Sequence, residues 1–292
     1  MSRITWEDRP SDLRDPVLVA AFRGWNDAAA AASGAVTFLA ERHRARRAGS
    51  LDPEDFFDFQ VTRPMIDLSD AAAPSLTWPE IEIAVARPEG GGRDLVLMGG
   101  PEPSMRWRTF SALLLDAADA LGIGLVVTLG SLLADVPHTR PVRLTGFGSD
   151  ESLIAGLGSR PPSYVGPTGI TGVLHHMAND RGMASVSLWA PSSHYAAGLS
   201  NAKASLALVR ALETVTGMGL GAGALQAAAL AYEQQVTHAV ESDARLQALV
   251  EQLERAADTE PVGDTGPLPS GDDLAAELER YLREYEGGEG TP

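Results

Sequence analysis

Apolar residues fall along this chain in two periods. Residues 17–22 (Val-Leu-Val-Ala-Ala-Phe) follow Pro16 without a polar break, the pattern of a short strand covered on both faces. Residues 94–98, running into Gly99-Gly100, and residues 123–129 repeat that pattern. Phe57, Phe59 and Val61 alternate over residues 56–62, as do the apolar positions of residues 81–85, so both read as strands. Residues 142–147 and 184–189 complete the strand set. Helical composition runs from Ala28 to about Arg47, where Gly49, Ser50 and Pro53 end it. Ser104 is placed to cap a helix carrying Trp107, Phe110, Leu114 and Leu121. Shorter helices fit residues 151–157 and 171–180, and a further helix fits 201–215. Strands mixed with amphipathic helices indicate an α/β domain with a covered, mostly parallel sheet over residues 13–217.

The remainder has a different texture. Gly217, Gly219, Gly221 and Gly223 read as a flexible joint, and residues 218–257 as a helical extension. Within it, residues 224–257 read as one long helix with Leu246, Leu249 and Leu253 on one side. Residues 258–271 are rich in Pro and Gly and read as a linker. Residues 272–286 read as a terminal amphipathic helix with Leu274, Leu278, Tyr281, Leu282 and Tyr285 on its apolar face. Such a helix packs on its own domain, across an oligomer interface or in a partner's groove.

Charge and composition narrow the function classes. The formal net charge is −16 over 292 residues. Residues 233–292 carry 15 acids and four arginines, so most of the acidity belongs to the C-terminal part. An acidic chain without a basic groove is a poor nucleic-acid binder. The one basic cluster, Arg42, His43, Arg44, Arg46 and Arg47, reads as the cationic end of the first helix. There is no cysteine, hence no disulfide and no thiolate chemistry. No apolar run approaches ~18 residues and the first residues lack a signal core, so a cytoplasmic, membrane-free protein is expected.

Familiar catalytic motifs are missing. The single lysine, Lys203, lies between alanines, so there is no phosphate-binding Gly-Lys-Ser/Thr loop. There is no Gly-x-Gly-x-x-Gly after a strand, no Gly-x-Ser-x-Gly elbow and no His-Glu-x-x-His. His176 and Asp180 are spaced for one helix face, but two ligands are too few for a metal site. No cofactor and no metal are expected. The polar residues that draw notice sit in loops just after strands, where ligands bind in open α/β sheets. Asp27, Glu102, His138, Arg140, His194 and Tyr195 should gather there. As turn and packing residues they are structural. As a pocket they supply an acid, a base and an anion clamp.

Read in order, several segments resemble a known family. They are residues 22–28 (Phe-Arg-Gly-Trp-Asn-Asp-Ala), Arg63-Pro64, Trp78-Pro79 and Gly100-Pro101-Glu102-Pro103 with Trp107. Residues 134–141 (Ala-Asp-Val-Pro-His-Thr-Arg-Pro) are the most specific, followed by residues 164–170 and Leu188-Trp189-Ala190-Pro191 with His194-Tyr195, then Asn201 and Ala202. Together they resemble the proteasome assembly chaperone 2 (PAC2) family in its actinobacterial form. The resemblance implies an α/β three-layer sandwich similar to purine nucleoside phosphorylases, a homotrimer, and a proteasome component as partner. It adds Gly24, Trp25, Gly100, Thr139, Gly166, Thr168, Gly169 and Asn201 to the candidate rim. Two functions follow: a non-catalytic oligomeric chaperone or adaptor acting on a protein partner, or an enzyme or sensor binding a small anionic, nucleotide-like metabolite at the rim. In the second, Arg140 clamps the anion and His138 or His194 moves a proton.

Overall fold

The computed structural model describes residues 4–69, 73–90, 92–157 and 164–259. In chain order the elements are β1 (Ile4–Trp6), β2 (Val17–Arg23), α1 (Ala31–Arg42), β3 (Arg46–Leu51), β4 (Met65–Asp67), β5 (Ser75–Thr77), β6 (Ile81–Ala86), β7 (Leu95–Pro101), α2 (Trp107–Ala120), β8 (Leu125–Ala134), β9 (Thr145–Gly148), α3 (Ile170–Asp180), β10 (Ser185–Ser193), α4 (Ala202–Thr216), α5 (Gln226–Glu241) and α6 (Ala244–Thr259). Eight strands form one sheet in the order β1-β3-β6-β7-β2-β8-β10-β9. The central four, β7, β2, β8 and β10, are parallel. The flanking strands pair antiparallel, so the sheet is parallel at its centre and mixed as a whole.

Three layers follow from how β2 alternates. Val17, Val19 and Ala21 face a core built with α1 and α4. Leu18, Ala20 and Phe22 face a second core built with α2 and α3. A strand buried on both faces must be apolar at every position, hence the unbroken run. In the second core Phe110 meets Phe22 and Phe56 edge-on, at centroid distances of 5.7 and 5.4 Å. Removing such a ring costs about 3–5 kcal/mol. A third, smaller cluster joins Tyr232, Val236 and Val240 of α5 and Val250 of α6 to Ala196, in the turn after β10.

Several expectations are corrected. The first helix stops at Arg42, and Arg44 takes a left-handed φ of 49°. Arg46 and Arg47 then open β3, so the basic cluster divides between a helix end and a strand. Residues 56–62 are turns, not a strand: the Pro53 carbonyl accepts from the Phe56 and Phe57 amides, and Asp58 from Val61 and Thr62. Their apolar alternation reflects tertiary burial of the two phenylalanines, while Val61 is exposed. Ser104 does not cap α2. Arg106 precedes the helix, and Ser104 Oγ accepts from the Asp58 amide at 3.1 Å. The single helix expected over 224–257 is two. Ser242 and Asp243 break it, and Asp243 Oδ1 accepts from the Arg245 amide at 2.8 Å. Asp258 and Thr259, expected in the linker, end α6. The rest of that linker and the helix expected over 272–286 lie outside the described residues.

Candidate functional site

β2, β7, β8 and β10 run the same way, so their carboxyl ends share one edge of the sheet. The loops after them carry the candidate residues, which fall into two groups.

The first group lies after β2 and β7. Asp27 Oδ1 accepts from the Ala32 and Ser33 amides at 2.9 and 3.0 Å, supplying acceptors at the start of α1. Glu102 Oε1 accepts from Asn26 Nδ2 at 2.5 Å and from the Ile170 amide at 2.9 Å, anchoring the start of α3. Gly24, at φ 137°, leaves room for this: a Cβ there would stand 3.2 Å from Glu102 Cβ. A Cβ at Gly169 would run into the Asn26 side chain, and one at Gly100 into the Glu80 carbonyl. Thr168 immediately precedes Gly169 at the start of α3, and Gly166 lies exposed beside Tyr164. Trp25 stands half in solvent.

The second group lies after β8 and β10, and the C-terminal helices cover it. The His138 amide donates to Tyr195 Oη at 2.8 Å, and the same Oη lies 2.8 Å from His138 Nδ1. His138 Nε2 is 3.0 Å from Thr237 Oγ1 on α5. Thr237 Oγ1 donates to the Glu233 carbonyl, so it accepts from Nε2–H and leaves Nδ1 to accept the phenol proton. Burial pushes the His138 pKa below its ordinary value, with Glu233 and Glu254 pulling the other way. Burial also raises that of Tyr195. Thr139 bonds Glu254 of α6. Arg140 grips Asp258 with two bonds of 2.8 and 2.7 Å and reaches Glu254 at 3.2 Å. Those carboxylates, Asp258 first, hold the guanidinium pKa above its already high value. Lys203 Nζ ties the His138 carbonyl to Glu233, each at 2.5 Å. His194 Nδ1 stands 3.0 Å from Asp135 Oδ1, at ion-pair distance without hydrogen-bond alignment. Asn201 caps α4 through the Ala204 amide and donates to Ser192 Oγ at 3.0 Å.

Residues 134–141 therefore form a dock for α5 and α6. A cavity beside it, lined by His138, Arg140, Asn201, Lys203, Tyr232 and Ala257 among others, measures about 120 Å³. Organic ligands usually occupy about 300–1,000 Å³. Among the described residues no three His, Asp or Glu side chains converge as metal ligands. His176 and Asp180 form an exposed pair at 3.4 Å.

The loops at the same edge also expose large apolar side chains. β3 ends and β6 begins level with the carboxyl end of β7, since Leu51 pairs Ile81 and Glu82 pairs Gly99. The connection between them carries the β4–β5 hairpin, exposed at every position. Among the described residues, nine of the ten large apolar side chains standing in solvent come from the segments after β2, between β3 and β6, after β7 and before α3. They are Trp25, Val61, Met65, Ile66, Leu68, Leu76, Trp78, Met105 and Val165. The motif residues Trp25 and Trp78 were the only visible signal of this surface.

Residues 21–240 match the model of the PAC2 family. The chain is 42% identical to a proteasome-assembly chaperone homologue of Mycobacterium tuberculosis, with a TM-score of 0.74 over 80% of this chain and 99% of that one. It is 43% identical to a PAC2 family protein of Streptomyces avermitilis, with a TM-score of 0.75 over 81% of this chain and 100% of the other. The fold is shared with PbaB of Pyrococcus furiosus, an archaeal proteasome activator, at 19% identity and a TM-score of 0.64 over 82% of this chain and 98% of that one. None of the curated proteins compared matches it. Fold, ordered loop segments and these likenesses agree: the chain belongs to the PAC2 family.

Proposed function

We propose that this chain is an oligomeric, non-catalytic chaperone-like protein that docks a protein partner, a proteasome component, on the apolar edge formed by its strand carboxyl ends. The observation that carries this reading is the concentration of exposed Trp, Met, Ile and Leu side chains on that edge. Contiguous exposed apolar surface marks protein interaction sites. The β4–β5 hairpin strengthens the case, because an isolated two-stranded hairpin is marginal in water until something packs on it. The similar proteins include a proteasome-assembly chaperone homologue and a proteasome activator, which suggests the class of partner. A homotrimer and a cytoplasmic setting belong to the same proposal, as does the division into a body over residues 13–217 and an extension from 218. Among the described residues no helix is long and apolar enough to cross a membrane. The competing reading, a metabolite site built on Arg140 and His138, is disfavoured because both side chains are committed to α5 and α6.

The test is a titration of the purified chain against purified proteasome α-type subunits of its own organism. Saturable binding that Trp25→Ser with Met105→Ser weakens is the expected result. Absence of binding, or binding indifferent to those substitutions, would overturn the proposal.

A further inference from the structure

The arginine-rich segment that ends α1 has no part in the edge just described. Its neighbours place it at the opposite edge of the sheet. Arg46 pairs Val85, and Ala86 pairs Leu95, so the start of β3 sits level with the amino end of β7. There a cavity of about 240 Å³ opens between the β1–β2 loop, the end of α1 and the end of β6. Five of the chain's 22 arginines line it, namely Arg9, Arg44, Arg46, Arg47 and Arg87, against one carboxylate, Asp8. In a chain of net charge −16 this lining runs against the overall sign.

Three of the five arginines are partly neutralised. Arg47 bonds Glu7 and Glu80, each at 2.5 Å. Arg46 reaches Asp8 at 3.1 Å, and Arg87 reaches Asp94 at 3.7 Å. Arg9 and Arg44 pair with no carboxylate among the described residues. Arg44 also holds a left-handed backbone, uncommon for a side-chain-bearing residue, and this sets the direction of its Cα–Cβ bond. His43, on the same wall, is set by its Nε2 donating to the Leu220 carbonyl at 3.1 Å.

We propose that this cavity binds a compact phosphate-type anion of diphosphate size, with Arg9 and Arg44 as its principal ligands. Guanidinium forks match phosphate oxygens in pairs, and unpaired ones have no protein carboxylate to displace. The volume lies just below the ~300 Å³ at which organic-ligand pockets begin, so the anionic group enters and a carrier stays outside. The site is independent of the protein-docking edge. A purely structural account has the arginines complementing the carbonyl end of α1, and it calls for no ligand.

Calorimetric titration of the full chain with sodium pyrophosphate decides between them, in EDTA and with ionic strength held constant by NaCl. The expected result is one saturable site, weakened tenfold or more by Arg9→Ala with Arg44→Ala and unaffected by Arg210→Ala on α4. Both replaced arginines are exposed and pair with no carboxylate among the described residues, so the double variant should keep the wild-type melting temperature. A parallel titration with a sugar phosphate separates a free diphosphate from a carrier-borne phosphate as the source. No saturable heat from either probe, or equal binding by the double variant, would overturn the proposal.

Discussion

His175 makes the fold sensitive to mild acid. Its ring lies edge-on to Phe147 at 4.9 Å, between α3 and the sheet, and Nδ1 is buried with no hydrogen-bond partner among the described residues. Burial, with a smaller contribution from the neighbouring His176, pushes its pKa down to about 4. The unfolded chain titrates near the ordinary value of about 6.5. A folded-state pKa below the unfolded one gives stability that is complete above about 6.5 and is lost as pH falls from there towards 4. At about pH 5.5 the unfolded state is roughly nine-tenths protonated while the folded ring stays neutral, which removes about 1.4 kcal/mol. That pH also stays clear of the isoelectric point near 4.7. Urea unfolding of wild type and His175→Leu, at about pH 8 and about pH 5.5, isolates the effect, because other titrating groups cancel in the comparison. The wild type should lose about 1.4 kcal/mol more than the variant. A difference below about 0.5 kcal/mol, or of opposite sign, would refute the reasoning.

Three other variants separate structural from docking roles. Glu102→Ala strands the Asn26 amide and the start of α3, and should cost about 2 kcal/mol in denaturant melts. Arg140→Ala removes the grip on Asp258, so amides of α6 should exchange faster while those of β2 and β8 keep their rates. Ile66 and Leu76 face each other across the hairpin, 61% and 54% exposed. Covering each by a partner is worth about 1–2 kcal/mol, so Ile66→Ser with Leu76→Ser should weaken partner binding roughly 30- to 1,000-fold and leave the melting temperature unchanged.

Much of the α/β body was legible because its strands are buried on both faces. The unbroken apolar runs over residues 17–22 and 123–129 pointed to covered strands, and the helix expected over 201–215 is α4. The errors arose where tertiary contacts outweigh local pattern. Arg46 and Arg47 continue a helical composition, yet Arg44 turns the chain and β6 recruits them into a strand. Phe56 and Phe57 look like part of a strand because Phe110 and its neighbours bury them from a turn. The strand order brings Asp27, Glu102, His138, Arg140, His194 and Tyr195 to one edge, as parallel strand ends require. Their partners were invisible, since Arg140 meets Asp258 across 118 positions and His138 meets Thr237 across 99. Beyond Trp25 and Trp78 the exposed apolar side chains left no signal, for the opposite reason: Met65, Ile66 and Leu76 stand in solvent rather than in a core, so no burial period marks them.

The central claim is that this edge docks a protein. The most direct measurement is affinity capture of the tagged chain from a lysate of its own cells, read by mass spectrometry beside tag alone and the Ile66→Ser, Leu76→Ser variant. The account expects proteasome subunits enriched by the wild-type chain and lost with the variant. No protein enriched over the tag, or the same proteins retained by the variant, would contradict it.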